Sequence, residues 1–392
     1  MIRKTRLFTP GPTPLLPAAQ FAMAAADIHH RTPEFRALYT KVLSQLKDFV
    51  GTKNDVIILS SSGSGAMEAS VSNLTSPGDR VLVLTAGKFG ERWTGLAKAF
   101  GCHADVVEAP YGKTFTLDQV KAALKLETRA VFVQATESST GVRHDIEGIA
   151  KLLKDEKSEA LLIVDAITGL GTTHLDMDVW GVDVLIGGSQ KAVMMPPGLS
   201  YLAVSDRAWE RMEGTYNPRY YFDLRKERKN AAKGESAYTP AVAPIAALGA
   251  SLDYIAGQAD GNLAEGRKKL VDNAETCAAM VRAAATALGL PLFAPEGSFA
   301  AAATAVLPPE GTSSTVIVKE FKSRFAAIVT DGQGEMKGQL FRIAHIGFFD
   351  YFDTIAIIGA LEHVAATKLS LPGFEFGKGL IAAQKVFAER TT

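Results

Sequence analysis

Two residues that could do chemistry together follow two short apolar segments in the middle of the chain. The first segment, 161–164, leads into Asp165, and the second, 182–186, leads through a Gly-Gly-Ser-Gln loop to Lys191. Short β-branched segments bounded by glycine are typical of strands buried on both faces of a parallel sheet. Ligands in open α/β sheets bind beyond the carboxyl ends of the strands, so the sequence predicts one ligand site for Asp165 and Lys191.

A carboxylate and an amine held at a sheet edge suit pyridoxal phosphate (PLP). Its aldehyde forms a Schiff base with a lysine, and a carboxylate keeps its ring nitrogen protonated, so that the ring withdraws electrons. Each residue also has a simpler interpretation. Asp165 could be a helix cap or turn former, and Lys191 a solvated surface residue. Their order, and the rigid Pro196-Pro197-Gly198 turn that follows them, favour the cofactor site.

Composition and charge limit the classes of protein to which the chain can belong. The 392 residues are enough for two domains, and 42 basic residues balance 42 acidic ones. The balance argues against nucleic-acid or membrane partners. Two cysteines, Cys102 and Cys277, cannot form a disulfide framework and predict reduced thiols in the cytoplasm. We expect no signal peptide, because no apolar segment follows the basic N-terminus, and no segment long enough to cross a bilayer.

A second anion-binding feature lies nearer the N-terminus. The predicted strand 56–59 is followed by the loop 60–65, which contains only serine and glycine, and by a predicted helix over 66–74. A helix start offers free N–H groups and a positive dipole end to an anion such as phosphate. A nucleotide is not favoured, because neither a P-loop lysine nor a dinucleotide fingerprint is present. The alternating strands and helices over 56–204 predict a doubly wound sheet.

The segment 161–198, with VDAITGLG and GGSQKAVMMPPG, resembles the core of the class V, fold-type I PLP aminotransferases, and similar fragments recur from Phe8 to Gly347. The most similar group is the alanine–glyoxylate and serine–pyruvate aminotransferases. The resemblance implies an α/β fold, with a mostly parallel seven-stranded sheet flanked by helices and a smaller α+β C-terminal domain. It also implies that the strand at 201–204 is antiparallel. We expect an N-terminal arm over 1–17, a large PLP-binding domain over 18–258 and a small domain over 259–392.

The resemblance also implies roles for individual residues in cofactor binding. The aromatic residue of Gly-Lys-Phe-Gly-Glu-Arg stacks on the cofactor ring, and a hydroxyl of Glu-Ser-Ser-Thr-Gly contacts its 3-oxygen. A threonine reaches the phosphate of the other subunit, which predicts a homodimer with active sites at the interface. The expected cofactor-binding residues are Ser62, Gly63, Ser64, Phe89, Ser139, Asp165, Ile167, Gln190, Lys191 and Thr239.

A third set of residues is expected to bind the substrate. Phe-Arg-Ile-Ala-His-Ile-Gly resembles the family's carboxylate-binding strand, and a planar guanidinium suits a carboxylate through two parallel hydrogen bonds. Arg342 is therefore the expected ligand, although a plain surface-strand arginine is the alternative, and Ala344 stands where the family has glycine. Gly11 and Ser139 are further candidates. The adjacent histidines His29 and His30 do not converge on one ion, so no metal is expected.

These residues predict transamination of a small amino acid (alanine or serine) with a 2-oxo acid (glyoxylate or pyruvate), since no second arginine for a distal carboxylate is evident. Aspartate- or phosphonate-specific aminotransferases are the first alternative. A non-catalytic accessory protein, like the related chains named as hydrogenase subunits, is the second. Cysteine desulfuration is less favoured, because it needs a mobile thiol and Cys277 lies in a helical context. The missing dinucleotide fingerprint excludes a nicotinamide oxidoreductase.

Overall fold

The computed structural model describes residues 2–391, which form short strands and longer helices in alternation. The strands, in chain order, are β1 (Arg6–Leu7), β2 (Asp55–Leu59), β3 (Arg80–Thr85), β4 (His103–Glu108), β5 (Thr128–Gln134), β6 (Thr136–Glu137), β7 (Val142–Arg143), β8 (Leu161–Asp165), β9 (Val184–Gly188), β10 (Ser200–Val204), β11 (Ala303–Val306), β12 (Ala327–Ile328), β13 (Thr330–Asp331) and β14 (Phe341–Ala344). The α-helices, in chain order, are α1 (Pro17–Ala25), α2 (Pro33–Val50), α3 (Gly63–Leu74), α4 (Lys88–Ala99), α5 (Leu117–Ala123), α6 (Ile146–Asp155), α7 (Met177–Trp180), α8 (Asp206–Glu213), α9 (Leu224–Ala231), α10 (Val242–Gly257), α11 (Leu263–Ala287), α12 (Ser314–Phe325), α13 (Tyr351–Lys368) and α14 (Lys378–Thr391).

Seven of the strands form one sheet in the order β2-β10-β9-β8-β5-β3-β4. All neighbours in it are parallel except at β10, which runs antiparallel to both β2 and β9. The predicted fold class is thus confirmed, together with the antiparallel strand that the resemblance implied. Both faces of the sheet are buried. In β5, Val131 and Val133 pack in the core on one face, and Ala130 and Phe132 in the core on the other.

The carboxyl ends of the parallel strands bring distant parts of the sequence to one edge. Asp165 ends β8, where it pairs with Gln134 at the end of β5 and with Ile186 in β9. Both β2 and β9 run antiparallel to β10, so the loop between β2 and α3 emerges at the same edge. The loop that leads to Lys191 leaves this edge as well, directly after β9.

Two helices begin earlier than the sequence predicts. We expect the first helix over 20–28, and it occurs at Pro17–Ala25, because a proline is well tolerated in the first helical turn. The helix expected from Ala66 begins at Gly63, with Ser62 as its N-cap. Glycine has a low intrinsic helix propensity, which is why the pattern places this start too late. The glycine-serine loop is therefore itself the first turn of α3.

The C-terminal part of the chain has its own sheet and its own apolar core. Strands β11, β14 and β13 form an antiparallel sheet with β14 in the centre. Side chains from α11, α12, α13 and α14 share one buried cluster with it. The boundary between residues 258 and 259 falls between α10 and α11 and stays a prediction. Within residues 2–391, no helix is both long enough and apolar enough to span a membrane.

The N-terminal arm connects the C-terminal sheet region to the lysine loop. Strand β1 pairs in parallel with β12, and Phe8 is buried in the C-terminal core with 2% exposure. Burying such a side chain is worth about 1.5–3 kcal/mol, which holds the arm in place. Further along, the Ala344 N–H donates to the Phe8 carbonyl, and the Thr13 hydroxyl donates to the Lys191 carbonyl at 3.1 Å. The arm therefore passes between strand β14 and the loop that carries Lys191.

One buried histidine makes the stability of this arrangement depend on pH. His345 is fully buried, with its ring nitrogens 2.7 Å from the Ala301 carbonyl and 3.1 Å from the Thr304 hydroxyl. Burial lowers the pKa of His345 to about 3, well below the ordinary value of about 6.5. Because the unfolded chain binds a proton at pH 5 and the folded chain does not, stability is full above pH 6.5 and falls as the pH drops.

We predict that His345→Gln flattens the acid side of the stability profile. Between pH 8 and pH 5 the native histidine should cost about 2 kcal/mol of the free energy of unfolding, and the variant should not show this loss. Chemical denaturation at a series of pH values measures it. His103→Gln, at an exposed position of β4, is the control. An unchanged pH slope in His345→Gln would contradict the prediction.

Candidate active site

A cavity at the carboxyl edge of the large sheet collects most of the expected cofactor-binding residues. Eight of the ten line it, and they come from four separate segments of the chain. The cavity also contains three residues that the sequence analysis did not single out. The lining residues are Ser62, Gly63, Ser64, Phe89, Arg92, Thr136, Asp165, Ile167, Thr168, Gln190 and Lys191.

Lys191 is buried, with 8% exposure, and its amine donates to the Pro10 carbonyl of the N-terminal arm. Burial lowers the pKa of Lys191 to about 8, and the charges of Arg342 and Arg92 add to this effect, while Asp165 opposes it. The unprotonated amine is the form that attacks an aldehyde. Lowering the pKa makes that form accessible near neutral pH, which is what a Schiff-base lysine needs.

Asp165 faces the same cavity from the end of β8. One carboxylate oxygen accepts the Ile167 N–H at 2.9 Å, and within residues 2–391 no cationic side chain forms an ion pair with it. Burial raises the pKa of Asp165 to about 6, whereas the Ile167 N–H and the charges of Lys191 and Arg92 oppose the rise. A protonated ring nitrogen brought next to this carboxylate would supply the missing partner and favour its charged form.

The start of α3 forms the opposite end of the cavity. The first N–H groups of a helix have no partner within the helix, and the Ser62 hydroxyl does not cap them. Gly63 is needed because a Cβ there would lie 2.2 Å from Cδ1 of Ile167, which packs over the helix start. These free donors, at the positive end of the helix dipole, fit a phosphate group.

Arg92 joins this anion-binding end to the aromatic residue. Its Nη1 donates to the Ser64 hydroxyl at 2.8 Å, and its guanidinium lies 5.1 Å from the centre of the Phe89 ring. Sequence reasoning missed Arg92, although its position three residues after Phe89 places both on one helix face. Trp93, by contrast, is fully buried and stacks on Phe132 in the core.

Gln190 provides a further observation that fits a bound group. Its side-chain oxygen Oε1 is buried and has no hydrogen-bond partner within the described residues. Buried polar atoms are almost always hydrogen-bonded in folded proteins. The free N–H groups of α3, the Lys191 amine and the buried Asp165 carboxylate together match the phosphate, aldehyde and ring-nitrogen ends of PLP.

Arg342 lies in the central strand β14 and is 2% exposed. Its Nη1 and Nη2 donate to the carbonyls of Ser138 and Asp331, each at 2.8 Å, while its Nε is buried without a partner. Burial lowers the pKa of Arg342 to about 10, against the opposing charges of Glu137 and Asp331. Arg342 does not line the cavity, but its charge reaches Lys191. This buried cation, held by neutral carbonyls, still offers a donor to a carboxylate.

Three of the expected residues take other positions. The Ser139 hydroxyl donates to Glu137 and accepts the Lys88 N–H at 3.2 Å, and Ser139 does not line the cavity. Thr239 is exposed and also outside the cavity. Gly11 lies directly against Lys191, since a Cβ on it would be 2.3 Å from Nζ.

The two cysteines are both free and buried. Cys277 lies within helix α11, and burial raises the pKa of its thiol to about 11. A thiol acts as a nucleophile through its thiolate, so a raised pKa and a helical position are both unfavourable for sulfur transfer. The geometry supports the sequence-based argument against desulfuration.

The fold and the site together define a fold-type I PLP-dependent enzyme: a seven-stranded, mostly parallel sheet carries a buried lysine, a buried carboxylate and an anion-binding helix start at one edge. The chain belongs to the class-V aminotransferases, whose family model matches residues 18–280. It is therefore a PLP-dependent aminotransferase.

Relatives match the chain over nearly its whole length. A soluble hydrogenase small subunit of Synechococcus sp. (strain PCC 6716) is 39% identical over 98% of this chain and 99% of its own. An L-aspartate–glyoxylate aminotransferase of Paracoccus denitrificans is 33% identical, with 100% and 98% covered. A serine–glyoxylate aminotransferase of Hyphomicrobium methylovorum is 33% identical, with 98% and 95% covered. The crystal structure of an alanine–glyoxylate aminotransferase from Nostoc sp. has a TM-score of 0.84 at 28% identity, covering 93% of this chain and 96% of its own.

We predict that Gly11→Ala weakens PLP binding at least about tenfold, a loss of about 1.4 kcal/mol, because the new methyl group would occupy the position of the lysine amine. Titration of the apoprotein with PLP, followed by visible absorbance, measures the affinity. Gly198→Ala is the matched control: Gly198 has φ +145° against +146° at Gly11, but no atom within 4 Å of its Cβ position. Equal losses in both variants would attribute the effect to backbone strain and contradict the prediction.

Proposed function

We propose that this aminotransferase moves the amino group of a small amino acid, alanine or serine, to glyoxylate or pyruvate. The observation that carries the proposal is Arg342, a buried guanidinium with a free Nε and no ion pair within residues 2–391. A substrate carboxylate would complete its hydrogen bonds and neutralise its charge. Every amino acid and 2-oxo acid carries this carboxylate, so one arginine serves both halves of the reaction.

Within residues 2–391, the other cations close to the cavity already have partners, which favours substrates with a small uncharged side chain. Arg92, which lines the cavity, donates a hydrogen bond to the Ser64 hydroxyl and lies against the Phe89 ring. Lys88, at the start of α4, is paired with Glu91 at 2.7 Å. A distal carboxylate would have to compete with these existing partners, which would cost affinity. The serine- and alanine-specific relatives agree with this preference, whereas the aspartate–glyoxylate relative supports the alternative.

The chain's residues divide the work of holding the cofactor. Ser62, Gly63, Ser64 and Gln190 would hold the phosphate, Phe89 would cover one face of the ring, and Asp165 would accept the hydrogen bond of the ring nitrogen. When bound, PLP supplies an aldehyde that takes up the amino group and a ring that withdraws electrons from the substrate's Cα.

Lys191 has two roles in this proposal. Its amine would hold the cofactor through the aldehyde, and the same amine would remove the proton from the substrate's Cα and later return one. A base for this step works best with a pKa near the working pH, and the pKa of about 8 meets this condition. The Pro10 carbonyl would orient the amine between these events, since it accepts a hydrogen bond from Nζ.

We also propose a homodimer in the cytoplasm, with Thr239 of each subunit reaching the phosphate site of the other. Thr239 is exposed, and so are Tyr220 and Tyr221, whose rings contact the ring of the neighbouring Tyr238. Exposed aromatic clusters are typical of interfaces. The two free thiols fit a reducing compartment. The buried set of Lys191, Asp165 and Arg342 argues against a non-catalytic accessory role.

The substrate prediction is tested by the visible spectrum of the purified holoprotein. L-alanine or L-serine should remove the visible absorption of the lysine-bound cofactor, and glyoxylate or pyruvate should restore it. L-aspartate and 2-aminoethylphosphonate are the comparison donors. A response to aspartate or the phosphonate alone would overturn the proposed specificity and leave the aminotransferase assignment intact.

Arg342→Lys should raise KM for both the amino acid and the 2-oxo acid about 10- to 100-fold, because a charged hydrogen bond is worth about 1.5–3 kcal/mol and lysine cannot bind a carboxylate bidentately. Steady-state kinetics with each substrate varied separately measures this. Arg282→Lys is the control, since Arg282 is also largely buried and packs on the Phe299 ring away from the cavity. An unchanged KM in Arg342→Lys would contradict the proposal that Arg342 binds the substrate carboxylate.

A further inference from the structure

Glu137 is a buried carboxylate that the proposed chemistry does not use. It ends the short strand β6 and has no exposed surface. Within residues 2–391 no lysine, arginine or histidine forms an ion pair with it. Burying an unpaired carboxylate is costly unless hydrogen bonds satisfy it, so its donors reveal what holds it there.

The donors of Glu137 come from two directions. One oxygen accepts the N–H groups of Phe89 and Gly90, at 3.0 and 3.1 Å, and the other accepts the N–H and the hydroxyl of Ser139. The first pair belongs to the first turn of α4, where an anion also meets the positive end of the helix dipole. Gly87 leaves room for this contact, because a Cβ there would lie 2.6 Å from the carboxyl carbon of Glu137.

Ser138, the next residue along the chain, contacts Arg342, the residue proposed to bind the substrate carboxylate. The Ser138 carbonyl accepts Nη1 of Arg342 at 2.8 Å, and the Glu137 charge acts on Arg342 in the direction that keeps it protonated. The segment 137–138 therefore contacts both the start of α4, which carries the Phe89 ring, and the guanidinium of Arg342. Phe89 lies in helix α4 and Arg342 in strand β14 of the C-terminal sheet, so a common support is needed to fix their separation.

We propose that Glu137 is a positioning residue that fixes the position of the Phe89 ring relative to Arg342. The inference rests on the roles proposed above for Phe89 and Arg342. With Glu137 in place, an amino acid held by its carboxylate on Arg342 would lie at a fixed distance from the Phe89 ring, which would cover the cofactor. Without Glu137, the first turn of α4 would lose the acceptor of two of its N–H groups, and the distance between the Phe89 ring and Arg342 would no longer be fixed.

The test compares Glu137→Gln with Glu362→Gln in the holoprotein. Glutamine keeps the shape but cannot accept two N–H groups with its amide nitrogen. We expect faster hydrogen exchange at the Phe89 and Gly90 amides, a weaker circular dichroism band of the bound cofactor, and a KM for L-alanine raised about tenfold with a smaller change in kcat. Glu362 is the matched control: it is also buried and accepts backbone N–H groups at a helix start, from Gly377, Gly379 and Leu380, with no contact to the cavity.

The outcomes separate a positioning role from a structural one. A fall in Tm like that of Glu362→Gln, with unchanged KM and cofactor dichroism, would overturn the proposal. If Glu137→Gln does not fold, Gly87→Ala displaces the carboxylate while keeping its charge and should change KM and dichroism in the same direction. If the natural protein does not use alanine, the substrate proposal fails, yet the exchange rates and the dichroism band still report on Glu137.

Discussion

Two opposite charges buried at one edge of a sheet are the constraint on which this site depends. The Lys191 ammonium and the Asp165 carboxylate lie in the same cavity. Burial lowers the pKa of Lys191 and raises the pKa of Asp165, and both changes favour the neutral form of the group. Removing a charge from water costs several kcal/mol, so the chain carries this penalty in its ligand-free form. The instability is local, and a ligand with complementary charges relieves it.

The N-terminal arm helps to hold the buried Lys191 amine in place. It pairs with β12, buries Phe8 in the C-terminal core and then places the Pro10 carbonyl on the amine of Lys191. A neutral carbonyl is a suitable partner, because it orients the amine without fixing a counter-charge that would raise its pKa. The arm thus links the sheet that carries Arg342 to the loop that carries Lys191. Gly11 is the position where this close approach leaves no room for a side chain.

The sequence predicts those parts of the site that follow from local patterns. Asp165 and Lys191 follow short buried strands, and the parallel topology alone brings them to one edge. The anion-binding start of α3 is readable in the same way, although its first turn was placed three residues late. Glu137 and the β1–β12 pair were not predicted, because their partners are distant in sequence and the contacts depend on tertiary packing. Arg92 was missed for another reason: it is local to Phe89, but charged helix residues are usually solvated.

The balance of charge around the cavity explains why an anionic cofactor and an anionic substrate belong there together. Three cations, Lys191, Arg92 and Arg342, interact with three carboxylates, Asp165, Glu137 and Asp331. A phosphate at the start of α3 would add negative charge next to Arg92. A substrate carboxylate would do the same for Arg342, at the other end of the site. Because the two cations are bound to separate supports, the Ser64 turn and the Ser138 carbonyl, each anion can be bound without displacing the other. A substrate with a second carboxylate would find neither cation free, and this is the physical argument for the proposed preference for small side chains.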